Sequence, residues 1–264
     1  MIVTVDGRRA HAATGGIDPA GDEPVIVLIH GAGMDGTVWQ LQTRFLAQRG
    51  FRALAVDLPG HGRTDGPALA TIGELADWLT RFLDQAGVRS AHLVGHSMGT
   101  FIALEVASRH PALVASITLC GTSTSMPVHP DLLDAAAHDL PAAAALMAAW
   151  GHARPAHVGG NPTPGLWMLG GARALVEASA PGVLATDFRS CMAYADALTA
   201  AAAVTCPATV VIGLGDKMTP PKGGRALAAA IAGVHVVELA DTGHSMMIED
   251  PRAVKRAILD TITR

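Results

Sequence analysis

The chain has 264 residues, 50% of them hydrophobic and 16% charged, with a formal net charge of -4. That balance furnishes a large core and excludes a disordered chain, and without a basic run there is no electrostatic footprint for nucleic acid or anionic lipid. Three scattered cysteines, Cys120, Cys191 and Cys206, show no metal-ligand spacing and point to free thiols in a reducing compartment. The opening segment MIVTVDGRRAHAATGG has no apolar h-region, and no run of about 18 apolar residues occurs elsewhere. A cytoplasmic protein without a membrane partner is expected; the oligomeric state is not legible.

Ile2 to Val5 and Arg8 to Ala13 flank Asp6-Gly7, a hairpin signal. A Gly/Pro-rich loop is expected from Gly15 to Pro24. Val25 to Ile29 is a continuous apolar run, as for a strand buried on both faces of a parallel sheet. It ends in His30-Gly31-Ala32-Gly33, and a helix is expected over Val38 to Gln48. The strand Phe51 to Val56 runs into Asp57-Leu58-Pro59-Gly60-His61-Gly62. A helix over Ile72 to Ala86 stops at Gly87; a strand from Ala91, a helix over Met98 to Arg109 and a strand over Val114 to Leu119 follow.

The rhythm then breaks. Residues 121–204 contain no convincing strand, only short helical patterns rich in Ala, Leu, Met and Trp between loops such as Gly159 to Gly165. Alternation resumes with a strand at Ala208 to Ile212, a helix at Lys222 to Ala232, a strand at Val234 to Leu239 and a helix at Arg252 to Thr263. This order implies a mostly parallel α/β sheet with helices on both faces. Residues 1–120 and 205–264 form its core, and 121–204 read as a helical cap inserted at the carboxyl edge, where open α/β sheets bind ligands.

Gly95-His96-Ser97-Met98-Gly99 lies between a strand and a helix. Such a turn holds its central residue in a strained conformation, and glycine on either side removes Cβ atoms that would collide. It presents the Ser97 hydroxyl beside the first amides of a helix. A rival motif occupies the first loop. Gly31-x-Gly33-x-x-Gly36 precedes a helix, and Asp57 ends the next strand, as in a dinucleotide fingerprint. That reading leaves Ser97, Asp216 and His244 without roles and puts Asp57 in a tight loop. As a serine-hydrolase feature, the same first loop supplies the Ala32 amide as one oxyanion donor, with the Met98 amide as the other.

A serine hydroxyl needs a base, and the base a carboxylate to orient it. The last two strands deliver Asp216 and His244 just past their ends, in the order Ser97, Asp216, His244. Of twelve histidines, His110, His129, His138, His152 and His157 read as solvated, His30 and His61 as loop donors, and His96 as directed away from the serine. Asp241 lies too close to His244 in sequence to orient it. After Leu119, Cys120-Gly121-Thr122-Ser123 offers no carboxylate.

These pieces together, with Gly215-Asp216, Thr219-Pro220 and Gly243-His244, resemble the serine α/β-hydrolase family, in its capped esterase, lactonase and carbon–carbon hydrolase branch. The resemblance covers nearly the whole chain and implies the α/β-hydrolase fold, a cofactor-free hydrolase without a metal, and a pocket between sheet and cap. Serine at position 97 sets it apart from the branches that use aspartate. The substrate-binding candidates are Gly31, Gly33, Trp150, Trp167, Met168, Met192 and Met246. A cap rich in Ala, Met and Trp, without clustered Arg or Lys, argues for uncharged small to medium esters. Lactone or carbon–carbon bond hydrolysis, perhydrolase chemistry, and ligand reception with little turnover remain the alternatives.

Overall fold

The computed structural model describes residues 1–17, 21 and 23–264, so the loop expected at 15–24 lies partly outside the described residues. A hairpin of β1 (Ile2–Val5) and β2 (Arg8–Ala13) opens the chain. Its turn residues Asp6 and Gly7 both have positive φ, 51° and 75°, which matches the twist of the flanking strands. Six further strands follow: β3 (Val25–Ile29), β4 (Arg52–Val56), β5 (Ala91–His96), β6 (Val114–Cys120), β7 (Ala208–Gly213) and β8 (His235–Leu239). They form one sheet in the order β1-β2-β4-β3-β5-β6-β7-β8, parallel from β4 onward. Its register is what builds the site. Ile29 stands opposite Val56 and Gly95, His96 opposite Cys120, and Gly213 opposite Leu239, so the strands release their following loops along one edge.

Helices α1 (Gln40–Ala47), α2 (Ile72–Gln85) and α3 (Met98–Arg109) follow β3, β4 and β5. Between β6 and β7 come α4 (Pro130–His138), α5 (Leu140–Trp150), α6 (Arg154–His157), α7 (Met168–Glu177), α8 (Val183–Ala193) and α9 (Ala197–Ala202), with no strand among the described residues of that interval. Then follow α10 (Pro221–Ala228), α11 (Met246–Glu249) and α12 (Pro251–Ile262). All five residues of β3 are buried, and they alternate between two cores. Val25, Val27 and Ile29 pack with α2 and α3, whereas Ile26 and Leu28 pack with α1 and α12. This is the doubly wound architecture that the alternation predicts.

Local chemistry sets the element ends. Thr71 and Glu74 form a reciprocal capping box at the start of α2. The helix expected over 38–48 is instead a 3-10 turn, Gly36–Trp39, followed by α1, because Asp35 caps that turn by accepting from the Thr37 amide. The Tyr194 hydroxyl, just past α8, donates to Glu105 of α3 at 2.7 Å and ties the intervening helices to the sheet layer. Among the described residues no helix is long and apolar enough to cross a membrane.

Candidate active site

Ser97 occupies the point between β5 and α3 with φ 51° and ψ -119°, a conformation most side chains avoid. The glycines around it are sterically required. A Cβ on Gly95 would overlap the Gly99 carbonyl, and one on Gly99 would lie 2.5 Å from the Ile29 oxygen. The Ser97 amide donates to the Cys120 carbonyl at 3.0 Å, which seats the turn between β5 and β6. Its side chain is half-buried and lines a cavity of about 330 Å³.

Asp216 and His244 come together from the loops after β7 and β8. His244 Nδ1 lies 2.8 Å from Asp216 Oδ2. The same carboxylate accepts from the Met218 and Thr219 amides, each at 2.8 Å, and from the Thr219 hydroxyl at 2.7 Å. Burial works to raise the Asp216 pKa, but the charge and hydrogen bond of His244 and then the Thr219 donors outweigh it, and the net direction is down. An ionised carboxylate only accepts, so the imidazole proton sits on Nδ1 and leaves Nε2 with its lone pair. Among the described residues the Ser97 hydroxyl and His244 Nε2 form no hydrogen bond with one another or with another protein atom. Asp241 is exposed and holds a turn at φ 53°, away from this pairing.

His96 does more than its expected orientation implied. Its ring packs 4.6 Å from that of His244, and its Nε2 donates to the His244 carbonyl at 3.0 Å. Burial, followed by repulsion from His244, pushes its pKa down to about 3, so it is a neutral support. The amide of Ala32 is directed by the other half of its peptide unit. The Gly31 carbonyl accepts from His30 Nδ1 at 2.8 Å and from the Met34 amide at 3.2 Å, and His30 Nε2 accepts from the Leu58 amide at 3.1 Å. Among the described residues no protein acceptor engages the Ala32 or Met98 amide. Ala32 lines the same cavity as Ser97.

The cavity wall is mostly apolar: Met126, Val128, Leu132, Trp150, Phe188 and Met218. Thr219, His129 and Lys217 contribute polar atoms, the exposed lysine at the rim. Cys191 also lines it, but burial and then Asp187 push its thiol pKa up, so it is wall and not nucleophile. Of the substrate-binding candidates only Trp150 meets this cavity. Trp167 is 77% exposed and Met192 47% exposed. Met168 faces a separate, smaller hollow beside Met34 and Ser245. Met246 is fully buried below the His244 loop, Gly31 packs against Ser97 and His96, and Gly33 packs against Leu184. Composition identified the right kind of wall but could not say which side of each helix faces inward. His152, expected to be solvated, is 1% exposed.

Two residues have clear local roles that the motif reading did not assign. Thr219, read there only as part of the Thr219-Pro220 piece, holds both Asp216 and His244, and the signal was present as a hydroxyl three residues after an aspartate. Glu249 of α11 accepts from the amides of Gly243 and Ala153, bracing the His244 loop against the end of α5. No short-range pattern marks it. The dinucleotide rival fails on Asp57, which is buried and already accepts from the Gly36 and Arg63 amides and pairs with His11 at 2.8 Å. Both oxygens are engaged within these loops, and at 3% exposure the carboxylate is out of reach of a ribose.

Comparison with known proteins agrees with this architecture. A family model described as the alpha/beta hydrolase family matches residues 26–257. The solved enol-lactonase of Burkholderia xenovorans LB400 superimposes with a TM-score of 0.86 at 27% identity, over 100% of both chains. A pimeloyl-acyl-carrier-protein methyl ester esterase of Aromatoleum aromaticum is 29% identical over 269 residues, covering 91% of this chain and 99% of its own. An esterase of the same name from Methylococcus capsulatus is 42% identical over 111 residues, 40% of each chain. The chain thus spans less than half the length of some curated relatives that it matches, in the range 31–46%.

Proposed function

The chain belongs to the alpha/beta hydrolase family, and from that premise we propose that it is a serine hydrolase cleaving carboxylic esters of small to medium, uncharged substrates. The observation that carries this reading is the 2.8 Å pairing of Asp216 with His244 Nδ1 at the same sheet edge as the strained Ser97 turn. With its proton held on Nδ1, His244 offers Nε2 as the base for the Ser97 hydroxyl. The serine attacks the ester carbonyl while the Ala32 and Met98 amides stabilise the oxyanion. His244 then protonates the leaving alcohol, and a water activated by the same imidazole releases the acid from the acyl-enzyme. Losing one such amide donor costs about 3–4 kcal/mol of barrier.

Residues 121–204 act in this reading as a cap over the core formed by 1–120 and 205–264. A cavity of about 330 Å³ suits small to medium ligands, and its apolar wall, Trp150 included, favours uncharged groups. The full-length likeness to an enol-lactonase supports a second reading, in which the leaving alcohol stays attached to the acyl group as an opened lactone. A fluorophosphonate probe followed by peptide mapping should place its adduct on Ser97, and Ser97→Ala should lower turnover of p-nitrophenyl esters and simple lactones by about a million-fold. An adduct elsewhere, or a Ser97→Ala variant keeping a tenth of wild-type turnover, would end the proposal. The ratio of ester to lactone turnover decides between the two readings.

A further inference from the structure

The loop that carries Ala32 is gripped from the far side by one carboxylate of the helical interval. Asp187, on α8, is 0% exposed. Its Oδ2 accepts from the Gly33 amide at 2.8 Å and from His61 Nε2 at 2.8 Å. His61 in turn donates from Nδ1 to the Pro59 carbonyl at 3.0 Å. A single oxygen therefore joins the loop after β3, the loop after β4 and a helix more than 120 residues later in the chain. The same helix packs Leu184 against Gly33, where an added Cβ would lie 2.6 Å from Leu184 Cδ1, and turns Phe188 and Cys191 into the cavity.

A buried charge is a costly way to fill a helix face. Among the described residues Asp187 Oδ1 has no hydrogen-bond partner, nor does the buried hydroxyl of Ser190 one turn on. An asparagine could accept from Gly33 without the burden of ionisation, but it would not draw a protonated His61. Burial opposes that proton, yet the charge and hydrogen bond of Asp187 more than restore it, and the His61 pKa is raised. The clamp acts, through the Gly33 amide that Asp187 holds, on the peptide unit next to the one bearing the Ala32 amide. His30 and Met34 hold the Gly31 carbonyl from one side and Asp187 holds the Gly33 amide from the other, so Ala32 is fixed between two anchored peptide planes.

We propose that Asp187 is a positioning residue that couples the seating of α8 to the direction of the Ala32 amide, so that the oxyanion site is complete only when the helical interval is docked. This rests on the reading of Ala32 as an oxyanion donor. The test replaces Asp187 by leucine, which has its shape but no acceptor, and by asparagine, which keeps one. Two readouts are taken: kcat and KM on a neutral p-nitrophenyl ester, and hydrogen exchange of the Gly33 amide. Asp187→Leu should lower kcat about tenfold to a hundredfold, with KM within about twofold, and speed Gly33 exchange at least about tenfold. Asp187→Asn should recover most of both. Should the leucine variant not fold, Asp187→Ser, too short to reach the Gly33 amide, is measured in its place. Unchanged Gly33 exchange, or a raised KM with kcat intact, overturns the proposal, the second because α8 would then only shape the pocket. If Ser97→Ala instead left turnover untouched, the hydrolase reading itself would fall, while Gly33 exchange would still report on the tether.

Discussion

Thr219 shows how much of the proposed chemistry depends on a residue outside the proposed Ser97, Asp216 and His244 set. Its hydroxyl donates to Asp216 Oδ2 at 2.7 Å and stands 3.2 Å from His244 Nδ1, so it fills the corner where carboxylate and imidazole meet. Valine keeps the shape and removes the donor. Hydrogen bonds to charged groups are worth about 1.5–3 kcal/mol, so Thr219→Val should lower kcat/KM on a p-nitrophenyl ester about tenfold or more. Thr219→Ser, which keeps the hydroxyl, should stay within about threefold; equal activity in all three proteins would show that Asp216 needs no such help. The pairing of Asp216 with His244 and the strained turn at Ser97 were legible from sequence because each residue stands beside a strand end and in a fixed order. Glu249 and Asp187 were not, since each acts on a backbone amide brought to it only by tertiary packing. A carboxylate on a helix reads as a solvated face until the fold buries it.

The strand–turn–helix element around Ser97 carries its own prediction, because its glycines answer to contacts rather than to flexibility. Gly95→Ala drives a methyl into the backbone at Gly99, where no side chain can swing aside. Backbone-level overpacking of this kind costs about 3 kcal/mol, which for a chain this size lowers Tm by roughly 6–12 °C. Gly73 in the first turn of α2 is the contrasting case, with nothing among the described residues within 4 Å of an added Cβ. Gly73→Ala should raise stability by about 0.5 kcal/mol through the unfolded chain. Thermal unfolding of both variants checks the contrast, and a harmless Gly95→Ala would refute the steric account. Elements of the sheet layer were legible because a strand buried on both faces reads as a bare apolar run, as in Val25–Ile29. The helices between β6 and β7 were legible only as helical. In α5, eight of eleven residues are alanine or leucine, so no polar stripe marks the outward side. At the start of α7 the residue types of Trp167 and Met168 have equal claim to the interior, yet Trp167, just before the helix, is exposed and Met168, its first residue, is buried.

At the scale of the whole molecule, the buried histidines set how stability responds to pH, and they do not all push the same way. His30, His92, His96 and His152 are lowered, chiefly by burial, with His96 near 3. An unfolded histidine titrates at about 6.5, so below that pH the unfolded chain binds protons that these folded sites refuse. Their contribution is whole above about 6.5 and is lost as pH falls, at about 1.4 kcal/mol per pH unit for each fully refused proton. For His96, faced by His244 and Asp216, the loss is roughly 2 kcal/mol at pH 5. His61, faced by Asp187 and by the His30 ring at 4.8 Å, runs the other way: its contribution is whole below about 6.5 and is lost as pH rises through its raised folded value. His61 is flat over that range, and Glu249, raised chiefly by burial, gains as pH falls but is one group against four. Urea unfolding should therefore show stability falling between pH 6.5 and 5, before the Asp216 carboxylate, itself lowered, begins to protonate. His96→Gln, which retains a donor for the His244 carbonyl, should make that acid slope shallower by about 1.4 kcal/mol per pH unit. His61→Gln should leave the acid slope alone and remove the loss on the alkaline side instead. A stability curve flat from pH 8 to 5 in the wild type would mean that these rings take up protons in the folded state, which the packing of His96 between Gly31 and His244 leaves no room to solvate.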